Sequence, residues 1–428
     1  MTSEEVRKLF LSFFEKKGHT IISSSSLIPT DPSVLLTTAG MQQLKPYFTG
    51  DKDPMTNFGS HRITSVQKCF RTTDIDEVGD ERHLTFFEML GNFSFGPVGS
   101  DNPKDIGTEG YFKKSSIDFA YELMTKELGL KIDWVSVFQG EKSVPLDTES
   151  IALWKEKGFT DKNIQQCDRA DNFWGPTGDS GPCGPTTEIY VDGIEVWNIV
   201  FNQYFQDEKG NLMPLKLPGV DTGMGFERLM KVIQKTETVF ETDLFEPLRS
   251  RVLDAAKNIP ENHLRIILDH VRGSVCMIAD GIYPSNLERG YILRRILRRL
   301  SLKLKQNNVQ LKYVPDFIGA VSEKFSPHYE QLKNTQRVNQ IFFAEVEKFD
   351  ATLGKGLRQF EKSVSQSDTG EQLGQKLFQL YTTFGLPLEI SRDIAQERGM
   401  PIDSRAKETF DALFQEHQKI SKQPSQKA

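Results

Sequence analysis

The sequence predicts an α+β domain built on an antiparallel sheet, followed by an all-helical domain. Three observations carry that expectation. In EIYVDGIEVWNIVFNQYF (188–205) the alternation of residues and the β-branched and aromatic side chains mark paired antiparallel strands. After residue 245 apolar residues recur at helical spacing almost without a break. At about 100–200 residues per domain, 428 residues favour two domains. No internal repeat argues for anything else.

Taken in order, MTSEEVRKLFLSFFEKKGH reads as an acidic helix with Val6, Phe10 and Phe13 or Phe14 at helical spacing. It lacks the positive start and apolar run of a signal peptide. CFRTTDIDEVGDERHLTFFEMLGNFSFG (69–96) reads as strand, polar loop, strand, with Arg71 ending the first strand and His83 and Phe87 on the return. FWGPTGDSGPCGPTTE (173–188) is crowded with turn residues and reads as a long loop. DTGMGFERL (221–229) places two glycines where a strand passes into a helix. Helices are predicted over 246–258, 262–279, 290–306, 312–324, 335–364, 371–383, 389–398 and 404–420. The tail SKQPSQKA is polar and reads as disordered. The domains are therefore expected at 1–244 and 245–420, with a tail at 421–428.

Composition removes several classes. Apolar residues at 37% and charged residues at 26% are ordinary for a soluble protein, and no stretch reaches the 18 apolar residues of a membrane span. A net charge of −6 argues against a uniformly basic nucleic-acid coat while leaving room for a local basic surface. Thirty Phe against 10 Tyr and 4 Trp promise an aromatic interior. Cys69, Cys167, Cys183 and Cys276 form no CxxC pair, which argues against a zinc ribbon or disulfide framework and for a reduced cytosolic compartment.

The chemistry concentrates in two motifs. Glycine permits close approach of the backbone to a ligand, and Arg228, one turn after Gly223 and Gly225, has the planar charge that suits a phosphate or a base. By itself a glycine pair is also what a bland turn carries. With Arg71, the loop, and His83-x-x-x-Phe87, the pattern resembles the second and third signatures of the class II aminoacyl-tRNA synthetases. Longer segments resemble the alanyl-tRNA synthetase family in particular: GHTIISSSSLIPTDPSVLLTTAGMQQLKPYFTG (18–50), TFFEMLGNFSFG (85–96), DNFWGPTGDSGPCGPTTEIYVD (171–192), EVWNIVFNQY (195–204), VDTGMGFERL (220–229), LRIILDHVRGSVCMIADGIYPSN (264–286) and RGYILRRILRR (289–299).

The resemblance implies a class II antiparallel-sheet catalytic domain followed by a helical tRNA-recognition domain. It implies activation of L-alanine to alanyl-adenylate by ATP and Mg²⁺, then transfer to the 3′ end of alanine tRNA. Arg71 and His83 would hold the ATP phosphates, Phe87 or Met89 the adenine, and Arg228 would complete the nucleotide site. Asp221 and Asn198 would bind the ammonium of alanine. Trp174, Val200 and Gly223 would shape a pocket for one methyl group, Trp174 as part of an exposed lid. Val200 is equally readable as strand core. Since Phe86 and Phe87 alternate in direction on a strand, only one of them can face the nucleotide. Glu188 is a candidate for Mg²⁺ or a structural carboxylate. The chain departs from the family where Leu84 replaces a second histidine and in a longer loop at 97–110.

The segment 289–305 carries seven basic residues and no acidic one. On a helix Arg294, Arg295, Arg298 and Arg299 share one arc, opposite Leu293, Ile296, Leu297 and Leu300. Such an arc is either a solvated face or a surface for an RNA backbone. By resemblance Asn286 and Glu389 would read the G·U wobble pair of the acceptor stem, Glu389 standing where the family has aspartate. Leu287 and Glu288 replace the family's Glu-Gly. The family's zinc-binding editing domain needs His-x-x-x-His and Cys-x-x-x-His, and no pair of the seven histidines has that spacing. The expectation is a cytoplasmic, monomeric enzyme with no zinc and no editing activity.

Overall fold

The computed structural model describes residues 1–96, 109–176, 178–400 and 402–422. The insertion at 97–110, apart from its last two residues, and the tail from 423 lie outside them. The chain divides into two compact units, Met1–Val252 and Leu253–Ala428. The boundary falls a few residues after the change of character at 245.

The first unit is built on one sheet. Its strands are β1 (Thr20–Ile21), β2 (Arg62–Phe70), β3 (Phe86–Ser94), β4 (Trp134–Phe138), β5 (Ile164–Cys167), β6 (Phe173–Trp174), β7 (Gly181–Val191), β8 (Ile194–Gln206) and β9 (Leu212–Gly225). They run in the order β1-β2-β3-β9-β8-β7-β4-β5, with β6 on β7. All pairings are antiparallel except β1–β2 and β4–β5 at the two ends. The N-terminal helix Ser3–Lys16 begins in a capping box made by Thr2 and Glu5. Val6, Phe10, Phe13 and Phe14 are all buried. Phe10 and Phe14 each lie with ring centroids 6.4 Å from Trp197 of β8, which fixes the helix against the sheet.

The hairpin β7–β8 turns on Asp192 and Gly193, with φ of 51° and 73°. Two consecutive left-handed residues match the twist of the flanking strands, the reason Asp-Gly favours such turns. The expected loop at 173–188 is a correction: its first two residues form β6 and everything from Gly181 belongs to β7. The glycines there serve close packing inside a sheet. A Cβ on Gly184 would stand 1.9 Å from the carbonyl oxygen of Phe201. The register shift between Cys183 and Thr186 accommodates the Gly-Pro pair.

The second unit is helical: Glu261–Ala279, Glu288–Gln306, Val314–Phe325, Thr335–Ser363, Gly370–Phe384, Leu388–Glu397 and Ser404–Lys422. Each lies within a few residues of its expected span, and so does Glu246–Ala255 at the boundary. Leu302, Phe349, Leu353, Leu377 and Ile390 centre one of its cores. Among the described residues no helix is long and apolar enough to cross a membrane.

Candidate active site

Strand register decides which side chains meet. Asn198 pairs with Gly223 and Val200 with Asp221, so all four project from one face of β8 and β9. They line a cavity of about 300 Å³, together with Arg71, His83, Phe87, Met89, Trp174, Glu188 and Arg228. Every first-unit residue for which the sequence suggested contact with ATP or alanine lines this one cavity.

At one end of the cavity, Arg71 directly follows β2, its backbone N–H donating to Thr85 O at 2.8 Å. Its guanidinium sits 4.9 Å from the centre of the Phe87 ring. Phe86 is fully buried and Phe87 faces the cavity, as the pleat requires. His83 is not on the return strand, which starts at Phe86; it is held in the preceding loop with Nδ1 2.6 Å from Asp80 Oδ2. Leu84, at the family's histidine position, also lines the cavity. Arg228 donates from one terminal nitrogen to Glu195 Oε2 at 2.7 Å.

Of the two glycines only Gly223 is closely approached, by the Met89 side chain, which would have to shift to admit a Cβ. A Cβ there would stand 2.8 Å from Met89 Sδ, whereas on Gly225 the nearest contact would be an ordinary 3.6 Å to Arg228. Trp174 is not an exposed lid. It is half-buried, pairs with Gly184 through β6, and packs against the cluster containing Ala39, Met41 and Phe93. Val200 is both: 4% exposed in the strand core and part of the cavity wall.

The electrostatics are unbalanced around Asp221 and Asn198. Asp221 is buried, and its carboxylate has no hydrogen-bond or ion-pair partner among the described residues. Burial pushes its carboxyl up to about 7. The Asn198 carbonyl oxygen is likewise buried without a partner, as is the Trp174 ring N–H. Glu188 is raised to about 7, first by burial and then by repulsion from Glu195, against the pull of hydrogen bonds from Tyr190 and Ser136. Both of its oxygens are engaged, Oε1 by Asn198 and Oε2 by Ser136 and Tyr190. Sequence reasoning missed Glu195, Glu227, Arg82 and Asp171, which also line the cavity. Glu195 opens the quoted segment EVWNIVFNQY; only its placement one residue past a tight turn could have singled it out.

In the second unit the basic helix Glu288–Gln306 is largely matched from within. Arg294 and Arg298 approach Glu345 Oε1 at 2.9 and 3.3 Å. Arg299, expected on the polar arc with Arg294, Arg295 and Arg298, is instead buried and pairs with Asp393 at 2.9 Å. Arg294 also donates to the Asn286 carbonyl oxygen, and Tyr291 OH donates to Glu389. Both proposed base-reading residues are thus held by neighbours. Glu288, in the family's glycine position, has a φ of 49°.

The family model described as tRNA synthetases class II (A) matches residues 5–428. An alanine--tRNA ligase of Dehalococcoides mccartyi (strain ATCC BAA-2100 / JCM 16839 / KCTC 5957 / BAV1) is 42% identical over 435 residues, covering 94% of this chain and 47% of its own length. That of Thermotoga petrophila is 39% identical, with 99% and 49% covered. That of Borrelia hermsii is 38% identical over 459 residues, with 100% of this chain and 74% of its own covered. The chain spans about half the length of the first two relatives. Motifs in order, one converging cavity and a match along nearly the whole chain lead to one conclusion: this protein belongs to the class II (A) tRNA synthetases, the family of its alanine--tRNA ligase relatives.

Proposed function

We propose that the cavity activates L-alanine with ATP and that the product is transferred to the 3′ end of alanine tRNA. The observation that carries this reading is the buried, uncompensated carboxylate of Asp221, diagonal across β8 and β9 from the unpartnered carbonyl of Asn198. A buried anion without a cation is costly, and a small primary ammonium answers both groups at once. Val200, Trp174 and Gly223 leave a small apolar space beside it, suited to a methyl group. Phe87 offers a face for a base, and Arg71, His83 and Arg228 offer positive charge or donors for phosphates.

In this reading one alanine carboxylate oxygen attacks the α-phosphorus of ATP and pyrophosphate leaves. Catalysis is positioning and neutralisation of charge: Arg71 and Arg228 answer the phosphate oxygens while Asp221 and Asn198 fix the amine. Magnesium would enter with the nucleotide; Glu188, held by Ser136, Tyr190 and Asn198, serves as a structural carboxylate in this reading, and no step here depends on the metal. The second unit would hold the acceptor stem, with Asn286 and Glu389 at the wobble pair and the basic helix near the backbone. The same reading places a monomer in the cytoplasm, in keeping with four free cysteines.

The test is alanine-dependent ATP–pyrophosphate exchange, followed by charging of alanine tRNA. Exchange that requires alanine and is not supported by larger amino acids is the expected result. Exchange with no alanine dependence would overturn the reading.

A further inference from the structure

Ser136, Glu188, Asn198 and Gly223 stand directly opposite one another on β4, β7, β8 and β9. In a pleated sheet such a row shares one face, so it forms a line leading into the cavity. Its hydrogen bonds have one consistent direction. Asn172 Nδ2 donates to Ser136 Oγ at 2.8 Å, which leaves the Ser136 hydrogen to turn to Glu188 Oε2 at 3.2 Å. Tyr190 donates to the same oxygen at 2.7 Å. Asn198 Nδ2 donates to Glu188 Oε1 at 3.0 Å. An amide has one donor end and one acceptor end. With Nδ2 tied to Glu188, the carbonyl is the end left over, and Gly223, next in the row, has no side chain to satisfy it.

We propose that Glu188 is a positioning residue for the amino-acid substrate: it fixes the Asn198 amide so that the carbonyl, and not the NH₂, meets a primary ammonium beside Asp221. This rests on the alanine-activation reading. An amide turned the other way would present two N–H groups to a cation. Glu188 therefore sets the sign of the partial charge at the site without touching the ligand. The role also accounts for a buried carboxylate held by three donors, Ser136, Tyr190 and Asn198.

The groups facing Glu188 are Ser136, Tyr190 and Asn198 as donors, with Glu195 and Asp171 as repelling charges. A protonated Glu188 becomes a donor on one oxygen, and the Asn198 amide loses its fixed acceptor. Alanine recognition should therefore weaken as pH falls below about 7, where Glu188 and Asp221 both gain protons, and the variants of Glu188 separate its share from that of Asp221.

The experiment compares full-length wild type, Glu188→Gln and Glu188→Asp in pyrophosphate exchange. Glu188→Gln can offer an N–H to Asn198 and turn its amide. Its KM for alanine should rise about 10- to 100-fold, the worth of one hydrogen bond to a charged group. The KM for ATP, the magnesium dependence and kcat at saturating alanine should hold. Glu188→Asp, still an acceptor, should recover part of the loss. In an Asn198→Asp background both ends of residue 198 accept, so Glu188→Gln should cost nothing further in alanine KM.

A shift in ATP KM or magnesium dependence in place of alanine KM would overturn the proposal in favour of a metal ligand. An equal further loss in the Asn198→Asp background would reduce Glu188 to general support of the fold. Should Glu188→Gln fail to fold, the Glu188→Asp KM decides: an alanine KM equal to wild type, with the pH dependence unmoved, overturns the proposal. Failure of the broader reading is separate, because wild type would then show no alanine-dependent exchange at all.

Discussion

The first unit's cavity and the second unit's basic helix treat charge in opposite ways. In the cavity a carboxylate, Asp221, is sealed in without a cation, and a carbonyl beside it has no donor. Along Glu288–Gln306 the cations already have anions: Glu345 serves Arg294 and Arg298, and Asp393 serves Arg299. The difference teaches how a binding site can be told from a structural one. A pocket left electrostatically incomplete is completed by its ligand, whereas an internally matched run of arginines has already spent much of its charge on the fold. Counting charges in the sequence separates neither case.

The largest expected effect breaks the comparison on the cavity side. Asp221→Asn should lower kcat/KM for alanine by about 100- to 1,000-fold, the loss of a buried charge partner, while ATP binding persists. The same variant should be more stable. The raised carboxyl of Asp221 means that the folded state holds its proton more tightly than the unfolded chain. Its contribution to stability is therefore present at low pH and lost as pH rises through about 7. The gain from Asp221→Asn should appear above that pH, as a melting midpoint about 2–4 °C higher per kcal/mol. A lower midpoint at pH 8 would mean that Asp221 has a partner after all.

On the helical side, Asp393→Ala takes from the buried Arg299 its carboxylate at 2.9 Å, while the ring of His270 stays 3.3 Å from its guanidinium. It should destabilise by about 3–5 kcal/mol in urea unfolding, with alanine-dependent exchange unchanged in the folded protein. A cost below about 1 kcal/mol would show that the pair is solvated. Arg298, whose side chain is 30% exposed, sharpens the contrast. Arg298→Ala should reduce the slope of log affinity for tRNA against log salt by about one unit at little cost in stability. An unaltered slope would assign the residue wholly to Glu345. The smallest effect is expected at Glu288, a non-glycine residue in left-handed backbone. Glu288→Gly should stabilise by up to about 1 kcal/mol, and destabilisation would show that its side chain contributes more than the strain costs.

What the sequence made legible follows from what is periodic or local. The helices after 245 were readable because their apolar positions repeat at helical spacing, and the β7–β8 hairpin because its strands alternate. The cavity residues were readable through resemblance, since Arg71 and Asp221 are far apart in the chain and only the registers of β2 on β3 and of β3 on β9 bring them to one face. The stretch 181–188 was misread because glycine and proline mark turns far more often than they mark strands pressed against a neighbouring backbone. Arg299 looked like its neighbours because helical phase places it near them. Its burial depends on Asp393, 94 residues on, which no local pattern announces. Glu195 was missed for the same reason: its role is fixed by Arg228, 33 residues away.

The tight turn at Asp192-Gly193 has a consequence for how the site comes into being. Glu188 and Asn198 are 10 residues apart and meet as soon as the hairpin closes, and β9 follows directly in the chain. The Arg71–Phe87 side of the cavity needs β3 to find β9, a pairing sealed by Asn92 and Thr222 across 130 residues. Closing a short loop takes far less time than closing a long one, so the Glu188–Asn198 side of the cavity can assemble early and the Arg71–Phe87 side must await the long-range search. Refolding should report this order. Loosening the turn at Gly193 slows folding, whereas truncating Phe87 leaves folding speed alone and hastens unfolding. One wall of the cavity is thus a product of neighbouring chain and the other of a distant encounter.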